Sequence, residues 1–94
     1  MEVSTGVTAD SDVRERIRTV IRNHARMPID VASVGDDVDL FQAGMTSHAS
    51  VNVMLGLETE FDIEFPDSML KRSVFQSVAA IAGAVEQLLN LAAA

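Results

Sequence analysis

Apolar side chains recur at spacings of three and four residues in three separate parts of the chain. In the first part, the inward positions of such a pattern are Val13, Ile17, Val20, Ile21 and His24. Another face carries arginine at every fourth position, at Arg14, Arg18, Arg22 and Arg26. This pattern predicts an amphipathic helix that begins at Asp10 or Ser11, either of which can serve as its cap.

The second part predicts a helix that begins with Ser47 as its cap and runs to about Phe61. The positions expected to face inward are Val51, Met54, Leu55, Glu58 and Phe61. Charged and apolar residues then alternate from 60 to 65, a period of two that by itself suggests a strand. Nothing else in the chain alternates, so this strand would have no partner. We expect instead an extended piece with Ile63 and Phe65 buried.

The third part predicts a short helical turn and a last long helix. Pro66 is expected to open the turn, which runs through Leu70, and Ser77 is expected to cap the helix. The apolar stripe of that helix consists of Val78, Ile81, Ala82, Val85, Leu88 and Leu89. The predicted fold class is therefore all-α, a small four-helix bundle of three long helices and one short helix.

A long loop separates helices 1 and 2 of this bundle and contains Pro28, Gly35 and Gly44. Its apolar residues, which are expected to pack on the core, are Ile29, Val31, Val34, Val38, Leu40 and Phe41. We expect residues 10–90 to form one domain, with residues 1–9 as a disordered tail and residues 91–94 as a flexible tail.

Composition narrows the possible functions. The chain has 94 residues and no cysteine, which excludes disulfides, thiolate metal sites and a thiol nucleophile. Its net charge of −7 disfavours binding to nucleic acid or membranes, because both present negative charge. Five of the seven basic residues precede Met27, so the middle of the chain is strongly acidic. We expect a cytoplasmic monomer with basic protein partners.

Ser47 and His48 are the pair to test for catalysis, because a serine nucleophile needs an imidazole within hydrogen-bond reach. Adjacent residues on a helix diverge by about 100 degrees, so His48 is poorly placed to take the Ser47 proton. His24 would have to approach from another helix. A serine hydrolase is not expected, and the protein is predicted not to be an enzyme.

A calcium loop that starts at Asp37 also fails the test of spacing. Phe41, Gln42 and His48 stand where such a loop needs a ligand, a glycine and a glutamate. The two histidines are far apart, and without cysteine they form no recognisable transition-metal set. No metal site is predicted.

Two interpretations of Ser47 stay open on spacing alone. A serine at a helix N-terminus accepts a hydrogen bond from a free backbone N–H, which is an ordinary structural role. The same position also exposes the hydroxyl and suits an attached phosphate, which the helix N-terminus would stabilise.

Three segments together resemble the acyl carrier and peptidyl carrier proteins: DLFQAGMTSHASV, LETEFDIEFPD and SVFQSVAAIAGAV. The resemblance runs from about Val13 to Leu89. In that family a serine after this glycine receives phosphopantetheine from coenzyme A, and Ser47 occupies its place. The resemblance therefore implies a free-standing carrier that holds an acyl or aminoacyl group as a thioester on the arm. The sequence leaves open whether the cargo is an amino acid, a fatty acyl group or a polyketide.

Two residues beside Ser47 depart from the family pattern. Thr46 stands where the family has aspartate, and His48 stands where it has leucine. His48 is interpreted as a surface residue or, alternatively, as a specificity contact. The segments AGMTSHASV and FPDSMLKRS look similar to small bacterial carriers that receive amino acids from stand-alone ligases related to class II aminoacyl-tRNA synthetases.

The resemblance also implies three kinds of partner. They are a phosphopantetheinyl transferase, an amino acid:carrier protein ligase or other acyl-activating enzyme, and a downstream acyltransferase or synthase. The residues expected to dock them are Thr46, His48, Val53, Leu57, Glu58, Glu60 and Asp62. Val53 and Leu57 are included because they lie off the expected inward stripe. The alternative function is an unmodified acidic helical adaptor that binds basic protein partners.

Overall fold

The computed structural model describes residues 5–25 and 30–93. Within these ranges the chain is helical and contains no strand, as expected from the sequence. The three α-helices are α1 (Thr5–Ala25), α2 (Ser47–Phe61) and α3 (Val78–Ala93). Three short 3₁₀ helices cover Val31–Ser33, Asp67–Met69 and Arg72–Val74. The Cα radius of gyration is 13.1 Å, so the helices form one compact body.

Two of the three long helices begin where the sequence predicts. Helix α2 starts at Ser47 and ends at Phe61. Helix α3 starts after Ser77, whose Oγ accepts a hydrogen bond from Ala80 N at 3.0 Å. This confirms Ser77 as a cap, because its side chain satisfies a backbone N–H that the helix itself leaves unpaired.

The predicted start of α1 at Asp10 or Ser11 is wrong, since this helix begins at Thr5. It thus includes residues 5–9, which the sequence assigns to a disordered tail, and α3 likewise continues to Ala93. No proline interrupts residues 5–12, and Thr5, Asp10 and Ser11 can all begin a helix. The pattern therefore does not select among these starts. The division into a domain and two tails stays a prediction.

The short helix predicted from Pro66 to Leu70 is a 3₁₀ helix of three residues, Asp67–Met69. Leu70 N donates to Asp67 O at 3.1 Å, and a second turn of the same kind follows at Arg72–Val74. Bonds of this three-residue spacing rarely extend beyond one turn. The count of four helices is therefore not confirmed.

The face of α2 that packs into the core differs from the predicted one. Its buried residues are Ala49, Val53, Gly56, Leu57 and Phe61. Of the expected inward stripe only Phe61 is buried, whereas Val51 and Leu55 are 50% and 51% exposed. Because α2 has apolar residues on both faces, the sequence pattern did not distinguish them.

Gly56 decides which face of α2 meets α1. A Cβ atom at this position would lie 2.8 Å from His24 Cδ2 and 2.9 Å from Val20 Cγ1. His24, which was expected to point inward, is exposed and lies against this glycine. The missing side chain at position 56 therefore allows the two helices to approach closely.

The long loop is attached to both α1 and α3. Leu40 N donates to Gln76 O at 2.7 Å, and Ala79 N donates to Asp36 O at 2.9 Å. The Asp36 carboxylate also pairs with Arg18 and, at 3.4 Å, with Arg14. These contacts hold a segment without regular structure against the bundle.

Most of the expected loop anchors do pack on the core. Val31, Val34 and Leu40 are buried, and Phe41 is partly buried. The prediction for Val38 is wrong, because this residue is exposed, and Ile29 lies outside the described residues. In the extended piece after α2, Phe65 is buried and Ile63 is partly buried.

Within the described residues, no helix combines the length and the apolarity needed to cross a membrane. The cytoplasmic location stays a prediction.

We expect Gly56→Ala and Gly83→Ala to change stability in opposite directions. A Cβ at Gly83, an exposed position of α3, would meet no heavy atom within 4 Å, so alanine should stabilise the helix by about 0.5–1 kcal/mol. The same change at Gly56 forces apart His24 and Val20 and should lower the free energy of unfolding by about 1–3 kcal/mol. Urea denaturation measures both. Equal effects of the two changes would contradict the close packing of α1 on α2.

Candidate functional site

Thr46, not Ser47, caps helix α2. Thr46 has an extended backbone (φ −86°, ψ 164°), and its Oγ1 accepts a hydrogen bond from Ala49 N at 3.0 Å. Ser47 is the first helical residue, and its side chain is exposed. The predicted capping role of Ser47 is therefore wrong. The reason is that the extended residue that precedes the helix is one position earlier than expected.

A tight turn before the helix places Ser47 at the surface. Gly44 has φ 122°, a conformation that favours glycine. The backbone N–H of Met45 donates to Leu40 O at 2.9 Å, and the Met45 side chain is buried. The buried Met45 side chain and the Thr46 cap that follows it orient the first turn of α2.

Asp39 holds the loop in front of this turn. Its Oδ1 accepts hydrogen bonds from Phe41 N at 2.9 Å and Gln42 N at 3.2 Å, and its Oδ2 accepts one from Gln76 Nε2 at 3.0 Å. Desolvation raises the pKa of Asp39, but these bonds and the charge of Arg72 outweigh it and lower the pKa below its ordinary value. The carboxylate therefore joins the loop before Ser47 to the start of α3.

Ser47 opens onto a groove of about 460 Å³. The groove lies between α2 and residues 70–75, and its other lining residues are Phe41, Ser50, Val51, Met54, Leu70, Lys71, Arg72 and Phe75. The walls are mostly apolar, and two cationic side chains lie among them. We call this the Ser47 groove. The sequence did not reveal it, because its walls come from three separate segments.

The surroundings of Ser47 do not form a catalytic arrangement for a serine nucleophile. His48 is exposed on the next position of the helix. His24 contacts the position of Gly56, more than two helical turns further along α2. His48 is therefore on the same helix as Ser47, and His24 lies against a distant part of that helix.

The predicted docking residues fall into three groups. Thr46, His48 and Asp62 are exposed and available to a partner. Val53 and Leu57 are completely buried, so their prediction as docking residues is wrong. They lie on the Gly56 face of α2, which packs against α1.

The two glutamates of the docking set have partners within the chain. Glu58 Oε2 accepts a hydrogen bond from Phe65 N at 2.8 Å. Glu60 pairs with Arg16 at 2.8 Å, and the Arg16 guanidinium lies 4.4 Å from the centroid of the Phe61 ring. These carboxylates therefore contribute to the end of α2 as well as to surface charge.

The apolar side chains that α2 exposes to solvent are not the predicted Val53 and Leu57 but those on another face of the helix. Val51 and Leu55 are half exposed, and Met54 beside them is partly buried. Exposed apolar side chains grouped on one face mark interaction sites more often than scattered ones do. A signal was present in the sequence, since small residues at 49 and 56 identify the closely packed face.

Comparison with known proteins gives a consistent family match. The model of the family described as "Phosphopantetheine attachment site" matches residues 13–85. The chain is 43% identical over 74 residues to the aminoacyl carrier protein of Agrobacterium fabrum, covering 79% of this chain and 89% of that protein. It is 38% identical over 69 residues to aminoacyl carrier protein 1 of Bradyrhizobium diazoefficiens, covering 73% of this chain and 77% of that protein.

A solved structure is similar in both sequence and fold. It is the crystal structure of engineered Bradyrhizobium japonicum glycine:[carrier protein] ligase complexed with carrier protein from Agrobacterium tumefaciens and ATP. A chain in it is 41% identical to this one and superposes with a TM-score of 0.78, covering 80% of this chain and 97% of that chain.

We expect Asp39→Ala to lower the free energy of unfolding at neutral pH. We also expect it to reduce the loss of stability that wild-type protein shows as the pH falls below about 4. Because the pKa of Asp39 is lowered on folding, its contribution is present above about pH 4 and is lost as the pH falls through the folded-state pKa. Urea denaturation at pH 7 and at several values below pH 4 measures this. Asp37→Ala removes an exposed carboxylate nearby and serves as the control. Identical pH profiles for the two variants would argue against the role of Asp39.

Proposed function

The chain belongs to the family of carrier proteins defined by a phosphopantetheine attachment site, and on this premise we propose that Ser47 carries the phosphopantetheine arm. The observation that supports this most directly is the position of Ser47. It is exposed in the first turn of a 15-residue helix, and another residue provides the cap. Its hydroxyl is therefore accessible to a modifying enzyme.

The residues around Ser47 fit this group. The backbone N–H groups at the start of α2 favour a phosphate, and Lys71 and Arg72 lie in the same groove as Ser47. When bound, the arm supplies a thiol that holds the cargo as a thioester. The chain itself contains no cysteine, so this thiol is chemistry that its own side chains lack.

The cargo we propose is an amino acid, and the activating partner is an amino acid:carrier protein ligase. Two relatives at 43% and 38% identity are aminoacyl carrier proteins, and the similar solved structure contains a glycine ligase. A phosphopantetheinyl transferase would attach the arm, and a downstream acyltransferase or synthase would accept the cargo. In this proposal the domain presents the group and does not catalyse its transfer.

We propose that these partners dock on the exposed face of α2. The face combines the exposed apolar residues Val51 and Leu55 with His48 and Thr46 beside the attachment site. The net charge of −7 would attract a basic partner over longer distances. Apolar contacts then provide affinity, and the acidic surface accelerates association.

The two 3₁₀ helices after α2 take the place of the short helix in the proposed four-helix carrier fold. Leu70 and Lys71, which join these two helices, and Arg72, which begins the second, form one wall of the Ser47 groove. The alternative function, an unmodified acidic adaptor, would use the same α2 face. It differs from the carrier in needing no chemistry at Ser47.

Ser47→Ala should abolish attachment of the arm, because it removes the hydroxyl to which the arm is proposed to be joined. Incubation with coenzyme A and a phosphopantetheinyl transferase should add the mass of one phosphopantetheine to the wild-type protein and none to the variant. Ser50→Ala, which removes a hydroxyl one turn later in the same groove, should still accept the arm. Intact-protein mass spectrometry reads all three. Wild-type protein that stays unmodified with several competent transferases would favour the adaptor.

Leu55→Gln should weaken binding to a glycine:[carrier protein] ligase by at least about fivefold, because docking on this face would bury the leucine and glutamine lacks that apolar gain. The side chain is 51% exposed, so the change should leave the unfolding midpoint nearly unaltered. Isothermal titration calorimetry measures the dissociation constant. Leu91→Gln, at an exposed leucine of α3, is the control. Equal affinities for the two variants would remove Leu55 from the docking face.

A further inference from the structure

Positive charge is concentrated at the Ser47 groove in an otherwise acidic part of the molecule. Only Lys71 and Arg72 among the seven basic residues lie beyond position 26, and both line this groove with Ser47. From residue 27 to residue 70 the sequence has no lysine or arginine. Lys71 and Arg72 are therefore positive residues that follow a long acidic stretch, and they lie together beside Ser47.

Arg72 differs from three of the α1 arginines in what it contacts. Within the part of the chain that the structure describes, Arg14, Arg16 and Arg18 form ion pairs with carboxylates. The Arg72 guanidinium instead lies 4.2 Å from the centroid of the Phe41 ring, and its charge acts on Asp39 without an ion pair. Stacking on an aromatic ring orients a guanidinium and leaves its N–H groups directed outward in the plane.

We propose that Arg72, assisted by Lys71, is a positioning residue that binds the phosphodiester on Ser47 and thereby directs the arm along the Ser47 groove. This inference rests on the proposed function. Charge complementarity supports it, because a phosphodiester is an anion and a guanidinium offers it two parallel N–H donors. The acidic charge elsewhere on the molecule would repel the same anion.

The groove walls suit the rest of the arm. Val51, Met54, Leu70 and Phe75 form an apolar surface next to the cations. An arm attached at Ser47 begins at this surface, so following it requires no movement of the helices. Arg72 is exposed, and an exposed ion pair is weak, so the arm should exchange between groove and solvent. A partner enzyme can then withdraw it without having to overcome a strong contact.

Nuclear magnetic resonance of the modified and unmodified protein tests the proposal. In wild-type protein, attachment of the arm should shift the methyl signals of Val51, Met54 and Leu70. In Arg72→Gln these shifts should be roughly two- to fivefold smaller, which corresponds to the loss of one exposed ion pair. Arg72→Lys keeps the charge without the planar donor pair and should give an intermediate result. The ³¹P signal of the phosphodiester should change in the same order.

Arg22→Gln is the matched control, because it removes one exposed arginine charge on α1 and leaves the groove intact. It should retain the wild-type shifts. Raising the salt to about 1 M, where the screening length is roughly 3 Å, should reduce the wild-type shifts toward those of Arg72→Gln. This salt series decides the question even if Arg72→Gln disturbs Phe41 in the unmodified protein.

The failure of this inference can be distinguished from the failure of the proposed function. Protein whose mass never increases by one arm contradicts attachment at Ser47 itself. Protein that is fully modified but shows equal methyl shifts in Arg72→Gln and Arg22→Gln overturns the role of Arg72 alone. Modified wild-type protein with no methyl shift in the groove has the same consequence.

Discussion

The close approach of α1 to α2 at Gly56 determines how the rest of the molecule is arranged. Without a side chain at this position, Val20 and His24 contact the α2 backbone, and Val53 and Leu57 become completely buried beside it. The rotation of α2 about its axis is thereby determined. Val51 and Leu55 are left on the outer face, and Ser47, Met54 and Val51 line one groove. One missing methyl group thus affects both which residues of α2 are buried and which are exposed.

The elements of this structure that the sequence predicts best are those with a local chemical cause. A glycine turn followed by an apolar run identifies the start of α2 at Ser47, and Ser77 is recognisable as a cap because a helix must satisfy its first N–H groups. The spacing of apolar residues did not predict the inward face of α2, because that helix carries apolar residues on both faces. The choice depends on shape complementarity with α1, which periodicity does not contain. The Ser47 groove was not predictable from the sequence for the same reason.

The acidic residues of the middle segment have two roles that composition alone does not separate. Asp36 binds α1 arginines and Asp39 accepts three hydrogen bonds in the loop before Ser47. Glu58 and Glu60 fasten the end of α2 to residue 65 and to Arg16. A substantial part of the negative charge is therefore structural. The charge available for attracting partners comes mainly from the remaining exposed carboxylates and from the overall excess.

Thr46, and not Ser47, provides the cap of α2, and this has a consequence for the stability of the helix. A serine that capped its own helix would couple any change at its oxygen to the stability of the first helical turn. Here the bond from Ala49 N ends on a neighbouring hydroxyl. The proposed modification of Ser47 would therefore leave the capping bond in place, so that the bare and modified proteins share the same start of α2.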